Sequence, residues 1–312
     1  MRTRNVEDEH ARQQPKVEET WIGTRETKEP VLPVCTSSLL PPSPQFDPWF
    51  NYRATEYLHL NGWHAFAHWF DYQSWYPLGR PVGTTIYPGL QLTSVFITDF
   101  LAKYVPAHAL SLNDVCCYVP AWFGALASLL CGLLSFEVTG SFSGAVFSTG
   151  IMAVVPAHLM RSIGGGYDNE SIALTAMVLT FLCWVTSLRS SAFAVPFGIL
   201  SGLSYVYMVA AWGGYVFVLN MVGIHAAALV AAGRYTGKLH IAYSLFYIIG
   251  TAGAVQIPVV GWTPLKSLEQ LGPCAVFLGI QVVGAAEYWI RIKKVMEKKE
   301  RWKIRGQFYG AR

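Results

Sequence analysis

The chain contains long apolar runs, each close to the length that a helix needs to cross a lipid bilayer, about 20 residues. Charged residues make up only 13% of the 312 residues, whereas a soluble domain carries about 25%. The sequence therefore predicts an all-α polytopic membrane protein, because a soluble core would not need such runs. Seven membrane-spanning helices are predicted, at 114–137, 142–160, 172–188, 192–211, 214–232, 239–258 and 272–290.

The remaining sequence divides into three parts around the predicted transmembrane domain, 114–290. Residues 1–45 are polar and proline-rich, which predicts a disordered tail with no signal peptide and no first membrane anchor. Residues 46–113 are rich in Tyr and Trp, a composition typical of short helices lying along lipid headgroups. Residues 291–312 form a basic tail.

The stretch 89–107 is nearly long enough to span the membrane, but it contains Asp99 and Lys103. Each of these charges would cost roughly 2.5–3.5 kcal/mol at the centre of the bilayer. We therefore predict an interfacial or re-entrant helix. This choice decides which loops lie on the same side of the membrane.

Lysine and arginine in short loops predict the orientation of the chain. Arg189, Arg234 and Lys238 fall on one side together with the basic tail, so that side is predicted to be cytoplasmic. The aromatic segment 46–113 and the loop 161–171 are then both on the non-cytoplasmic side.

That loop carries two acids, Asp168 and Glu170, after three consecutive glycines at 164–166. Glycine allows the backbone to turn freely, and two carboxylates held together form an oxygen-rich site suited to Mg²⁺ or Mn²⁺. The alternative is structural. Asp168 would cap the next helix and Glu170 would lie in its first turn, where the helix dipole favours acids. The two interpretations are compatible.

A third acid, Asp47, lies between Phe46 and Pro48 in an aromatic surface where a lone carboxylate needs a partner. With 89–107 in the interface, Asp47 lies on the same side as Asp168 and Glu170. Three carboxylates from two loops would form a divalent metal site. If 89–107 were a full span, the acids would lie on opposite sides.

Other potential metal ligands are less convincing. His59, His64 and His68 have a spacing that places them on neighbouring helical turns, but the aromatic residues around them favour an interfacial amphipathic helix. The six cysteines show no metal-binding spacing, and most of them lie inside apolar segments, so they are interpreted as small core residues.

Several long motifs resemble the catalytic subunit of eukaryotic oligosaccharyltransferase. The resemblance covers about 46 to 290 and implies the type C glycosyltransferase fold. It also implies transfer of a preassembled glycan from dolichyl diphosphate to the Asn of an Asn-X-Ser/Thr sequon in the endoplasmic reticulum lumen. The motifs that carry it are "FDPWFNYRATEYL", "WFDYQSWYPLGRPVGTTIYPGL", "SIGGGYDNESIAL", "YMVAAWGGYVFVLN" and "GRYTGKLHIAYSLFYIIGT".

The resemblance implies specific roles for residues of this chain. Asp47, Asp168 and Glu170 correspond to the acids that bind Mn²⁺ or Mg²⁺, and Asp47 could touch both the metal and the acceptor amide. Arg161 could bind the donor phosphate or pair with the acids, or it could simply extend to the membrane surface at a helix end. Trp212 could contact the lipid-linked donor or anchor the chain at the interface.

The expected partners are a dolichyl-diphosphate-linked oligosaccharide, an acceptor polypeptide, membrane lipid and other subunits of the enzyme, and no nucleic acid. The family's first transmembrane helix, its later acidic lumenal loop and its C-terminal lumenal domain with the "WWDYG" motif are not recognised. A truncated chain, inactive alone, is therefore expected. The alternative is a non-enzymatic membrane scaffold or a transporter remnant, for which ionisable residues in mid-membrane would be expected.

Overall fold

The computed structural model describes residues 47–106 and 109–309, with side chains at 48–106 and 109–293. The predicted tail at 1–45 lies outside the described residues. The described part is almost entirely helical. Its helices are α1 (Asp47–Ala67), α2 (Val82–Thr85), α3 (Gly89–Tyr104), α4 (Leu112–Thr139), α5 (Phe142–Val154), α6 (Pro156–Arg161), α7 (Asn169–Ser187), α8 (Ser191–Ala211), α9 (Tyr215–Ala231), α10 (Gly237–Val255), α11 (Thr263–Lys266) and α12 (Leu268–Tyr309).

Each apolar run predicted as a span coincides with helix in the structure, but the run at 142–160 is divided between α5 and α6. Val155 has an extended backbone and Pro156 begins the next helix, because proline fits the first turn of a helix but not its interior. Four helices of the described part are long and apolar enough to cross a membrane, while α5 and α9 are apolar but shorter. The chain is a multi-pass membrane protein, and the count of seven spans stays a prediction. The four are Leu112–Thr139, Asn169–Ser187, Ser191–Ala211 and the Leu268–Lys293 part of α12.

Helix α3 has 16 residues, a length of about 24 Å, which is short of the roughly 30 Å hydrocarbon core. Its first residue, Gly89, lies so close to the end of α8 that a Cβ there would be 2.8 Å from the backbone of Ala210. The hydroxyl groups of Thr93 and Tyr207 are 2.8 Å apart. Helix α3 is thus fixed at the C-terminal end of α8, as an interfacial helix would be.

Helix α8 packs against α7 and α10 in the core, with Tyr205 and Phe246 among the fully buried side chains. Small residues make this approach possible. A Cβ at Gly253 would lie 2.2 Å from Val206 Cγ2, and one at Gly250 would lie 2.7 Å from the Tyr205 ring. Close backbone contact through small residues is typical of helices packed in lipid.

At the N-terminal end of α8, away from α3, polar contacts join the neighbouring helices. Arg189 Nη1 lies 2.7 Å from Glu137 Oε2 at the end of α4, and Lys238 Nζ donates to the Arg189 carbonyl at 3.2 Å. Arg189 and Lys238 therefore lie at one end of the helices, as predicted. The compartment that this end faces stays a prediction.

The aromatic segment contains features that the sequence analysis did not predict. Gly62 interrupts α1 at φ 77 and ψ 174. Two short strands, β1 (Phe70–Asp71) and β2 (Arg80–Pro81), pair antiparallel. The buried Asp71 carboxylate accepts hydrogen bonds from Arg53 Nη2 at 3.0 Å and Ser74 Oγ at 2.5 Å.

Candidate functional site

The two acids of the glycine-rich loop lie at the start of α7. Asp168 is the N-cap residue, with an extended backbone at φ −133 and ψ 150, and its Oδ1 accepts a hydrogen bond from Asn169 N at 2.7 Å. Glu170 lies in the first turn of the helix. The structural interpretation of these acids is therefore confirmed. Both carboxylates lie at the positive end of the helix dipole, which leaves their metal-binding role open.

Arg161, the last residue of α6, joins the two acids. Its Nη1 lies 3.0 Å from Asp168 Oδ2 and its Nε lies 2.6 Å from Glu170 Oε2. Of the alternatives for Arg161, pairing with the acids is confirmed. The side chains of Arg161, Asp168 and Glu170 are 42%, 18% and 30% exposed, so solvent or a ligand has access to the cluster.

Short contacts to α4 hold α6 and the loop in place. His158 Nε2 lies 3.1 Å from the Gly124 carbonyl oxygen, to which it can donate. Gly165 N donates to the Cys117 carbonyl at 2.9 Å. Gly165 has φ 84, a backbone conformation that glycine adopts without strain. This explains why the middle residue of the run 164–166 is a glycine.

An apolar pocket of about 390 Å³ opens beside the cluster, between the α5–α6 region, α7 and α8. Its walls combine three flexible methionines with two charged groups and an indole. These residues are Met152, Met177, Met208, Arg161, Glu170 and Trp212. The pocket thus brings together the two residues that the sequence analysis predicted to bind substrate and one of the predicted metal ligands.

Trp212 follows the last residue of α8 and is 37% exposed. Its indole lies over Gly214, where a Cβ would be 1.9 Å from the ring, so the glycine is needed for this ring position. The location fits both interpretations of Trp212, donor contact and interface anchor.

Asp47 is the first residue of α1, and its side chain lies outside the described residues. One turn later, Asn51 Nδ2 donates to the backbone carbonyl of Tyr167 at 3.2 Å. Tyr167 immediately precedes Asp168. The start of α1 is therefore adjacent to the acidic loop and at the same end of the helices, while convergence of the three carboxylates stays a prediction.

The donor chemistry of the loop suits a hard cation. Mg²⁺ is commonly held by one or two carboxylates together with water and substrate phosphate oxygens, and Asp168 and Glu170 supply two. The intervening Asn169 Oδ1 is buried without a hydrogen-bond partner in the described part of the chain. Among the side chains at 48–106 and 109–293, no group of three His, Cys, Asp or Glu could hold a metal, and the side chain of Asp47 lies outside that set.

Sequence reasoning missed two groups that shape the site, His158 and Tyr167. Both side chains are buried and carry polar groups. Their only sequence signal is adjacency, because His158 lies three residues before Arg161 and Tyr167 lies next to Asp168.

A bundle of apolar helices, with an acidic, arginine-bridged loop beside an apolar pocket, defines a multi-pass helical membrane protein that carries a charged cluster at one end of its helices. The chain belongs to the family described as oligosaccharyl transferase STT3, N-terminal, which it matches over residues 38–303. This confirms the family suggested by the sequence motifs.

The chain is similar to curated STT3 subunits of dolichyl-diphosphooligosaccharide–protein glycosyltransferase. It is 38% identical to the Saccharomyces cerevisiae protein over 244 residues, which is 78% of this chain and 33% of the relative. It is 39% identical to the Caenorhabditis elegans protein over 244 residues, 78% of this chain and 32% of the relative. The chain thus spans about a third of the length of these relatives.

Solved structures of an Archaeoglobus fulgidus oligosaccharyltransferase share the fold. The form tethered to an acceptor peptide containing the NVT sequon gives a TM-score of 0.61 at 18% identity, covering 80% of this chain and 31% of that one. The apo form gives 0.58 at 21% identity, covering 79% and 30%. The all-α membrane fold predicted from the sequence is confirmed.

Proposed function

We propose that this chain forms the donor-binding and metal-binding part of an oligosaccharyltransferase catalytic subunit. The activity is transfer of a preassembled oligosaccharide from dolichyl diphosphate to the Asn of an Asn-X-Ser/Thr sequon. One observation carries the proposal. In a chain of the STT3 family, Asp168 and Glu170 meet the guanidinium of Arg161 beside an apolar pocket.

The pocket and the charged cluster together suit an amphipathic donor. A prenyl chain is flexible and apolar, and methionine side chains adapt readily to such a ligand. The diphosphate would then lie at Arg161, because a guanidinium forms paired hydrogen bonds with phosphate oxygens. Trp212 would cover the donor near the junction of lipid and phosphate. A related Archaeoglobus fulgidus structure is described as a complex with an inhibitory peptide and a dolichol-phosphate, which supports this class of ligands.

Asp47, Asp168 and Glu170 are proposed to hold Mn²⁺ or Mg²⁺. When bound, the divalent cation supplies a Lewis acid that stabilises the negative charge developing on the diphosphate leaving group. Arg161 would turn from the acids toward the donor phosphate, and its exposed position leaves room for this movement. Asp47 would also accept a hydrogen bond from the acceptor amide, orienting a poor nucleophile toward the sugar.

The site is proposed to face the endoplasmic reticulum lumen. The predicted cytoplasmic residues Arg189 and Lys238 lie at the other end of the helices, which supports this orientation. The relatives' names describe them as subunits, so further subunits are proposed as partners, together with the acceptor polypeptide and membrane lipid.

The test is binding of a synthetic polyprenyl diphosphate disaccharide to the chain in lipid nanodiscs, with and without Mn²⁺. The variant Asp168→Asn, Glu170→Gln removes both charges while keeping the side-chain shapes. We expect donor binding by the wild-type chain to require Mn²⁺. The variant should bind the donor weakly whether or not Mn²⁺ is added, and its Mn²⁺ affinity should fall by more than about 100-fold, because direct ligands weigh more than the outer contacts that contribute 10–100-fold.

The matched control is Asp99→Asn, Glu287→Gln, which removes two exposed acids from α3 and α12. This control should retain Mn²⁺-dependent binding, which rules out a general effect of surface charge. Equal donor binding by the wild-type chain and the Asp168, Glu170 variant would reject the metal site. The Arg161 cluster would then be a purely structural ion pair, as expected of a scaffold.

A further inference from the structure

A buried hydroxyl network lies directly behind the acidic loop. The Tyr167 side chain is 3% exposed, and its hydroxyl donates to Ser94 Oγ of α3 at 2.7 Å. The same hydroxyl lies 2.9 Å from Thr55 Oγ1 of α1. Thr55 and Ser94 are both fully buried. One side chain of the loop therefore contacts two helices of the aromatic segment at once.

The peptide group of Tyr167 contributes a second set of contacts. Its carbonyl accepts the hydrogen bond from Asn51 Nδ2 at 3.2 Å, and Asn51 Oδ1 in turn accepts from Gln91 Nε2 at 3.4 Å. Asn51 and Gln91 are 6% and 0% exposed. Gln91 Oε1 itself is buried without a hydrogen-bond partner in the described part of the chain. Because an unpaired buried polar group is strongly unfavourable, the hydrogen bonds that Tyr167 and Asn51 do make favour one arrangement of these segments.

The positions of these residues connect the network to the acids. Asp168 follows Tyr167 directly in the chain. Asp47 precedes Asn51 by four residues on α1, one helical turn away on the same face. The segments carrying Asp47 and Asp168 are 121 residues apart in sequence (168 − 47), so contacts of this kind must set their relative position.

We propose that Tyr167 is a positioning residue for the metal site: its hydroxyl and carbonyl hold α1 and α3 against the loop, so that Asp47 and Asp168 reach one cation. This proposal rests on the proposed metal site. Tyr167 is not proposed to touch either the metal or the substrate. It acts through the backbone segments that carry the ligands, as outer contacts commonly do around metal sites.

The test is Mn²⁺ affinity, measured by electron paramagnetic resonance of free Mn²⁺ with the chain in nanodiscs. Tyr167→Phe keeps the ring and removes only the hydroxyl. We expect its Mn²⁺ affinity to fall by about 10-fold or more, within the 10–100-fold range for outer contacts of metal sites. Thr55→Val removes the partner hydroxyl with little change in shape, and it keeps the proposal testable if Tyr167→Phe does not fold.

The matched control is Tyr243→Phe. Tyr243 is also fully buried, and its hydroxyl donates to the Pro273 carbonyl at 2.9 Å. The substitution by Phe therefore also removes one buried hydrogen bond. A general loss of stability should lower Tm in both tyrosine variants, but only Tyr167→Phe should lower Mn²⁺ affinity. The Tyr167, Thr55 double variant should lose less Mn²⁺ binding free energy than the two single variants added together, because the effects of residues in contact are not additive.

The outcomes separate the two proposals. Wild-type Mn²⁺ affinity in folded Tyr167→Phe or Thr55→Val, or equal losses in Tyr167→Phe and Tyr243→Phe, overturns the positioning role and leaves the metal site intact. Strictly additive losses also overturn it. Absence of Mn²⁺ binding by the wild-type chain overturns the proposed function, and the positioning role with it.

Discussion

Ion pairs occur at both ends of the helices, but they differ in composition. At one end, the Glu137 carboxylate pairs with the guanidinium of Arg189, and Lys238 donates to the Arg189 backbone carbonyl. At the other end, Asp168 and Glu170 share the single guanidinium of Arg161 and border an open pocket.

The difference indicates what each end is suited to do. Hydrogen bonding to the Glu137 carboxylate raises the pKa of Arg189. The ion pair joins α4 to the turn between α7 and α8. Asp168 and Glu170 both contact Arg161 beside the pocket. We propose that this end binds a ligand, while the end with Arg189 holds helices together.

The largest effect that sharpens this comparison is expected at Arg161. Arg161→Gln removes the internal cation that competes for both acids, so Mn²⁺ affinity should rise, by about 10-fold for a partly exposed charge. Mn²⁺-dependent binding of the diphosphate donor should weaken at the same time, because the phosphate loses a guanidinium. A titration showing weaker Mn²⁺ binding would mean that Arg161 supports the metal rather than competing with it.

A smaller and different effect is expected at Glu137. Glu137→Gln breaks the ion pair with Arg189, and because that arginine remains solvated the decrease in Tm should be at most about 2–4 °C. Mn²⁺ affinity should stay unchanged. A change in Mn²⁺ affinity would show that the two ends are coupled, contrary to their separate roles.

The smallest effect is expected at Lys238. Lys238→Met removes one exposed hydrogen bond to a backbone carbonyl, and surface changes of this kind usually alter stability by no more than about 0.5 kcal/mol. Thermal unfolding in nanodiscs measures this directly. A loss as large as that of Glu137→Gln would assign Lys238 a larger part in joining these helices.

The helices could be predicted from sequence because the bilayer imposes a length and a composition on each of them. The runs at 192–211 and 214–232 match α8 and α9 to within a residue at each end. The break in the run at 142–160 was missed, although Pro156 provides a local signal for it.

The acids of the site could also be predicted, because capping and charge pairing are local effects. Asp168 and Glu170 lie in one short loop, and Arg161 is seven residues before Asp168. The Tyr167 network could not be predicted, since Asn51 lies 116 residues away in sequence. Hydrogen bonds between separated segments leave no pattern in a single sequence. The pairing of Asp71 with Arg53 could not be predicted for the same reason.

An anomalous difference map from Mn²⁺-soaked crystals of the chain tests most directly whether Asp47, Asp168 and Glu170 meet at one cation. We predict one peak with carboxylate oxygens of all three residues at about 2.0–2.6 Å, the range for oxygen ligands of such cations, and with Arg161 turned away from the acids. A map without a peak at the start of α7, or with a peak that Asp47 does not reach, would contradict the proposed metal site.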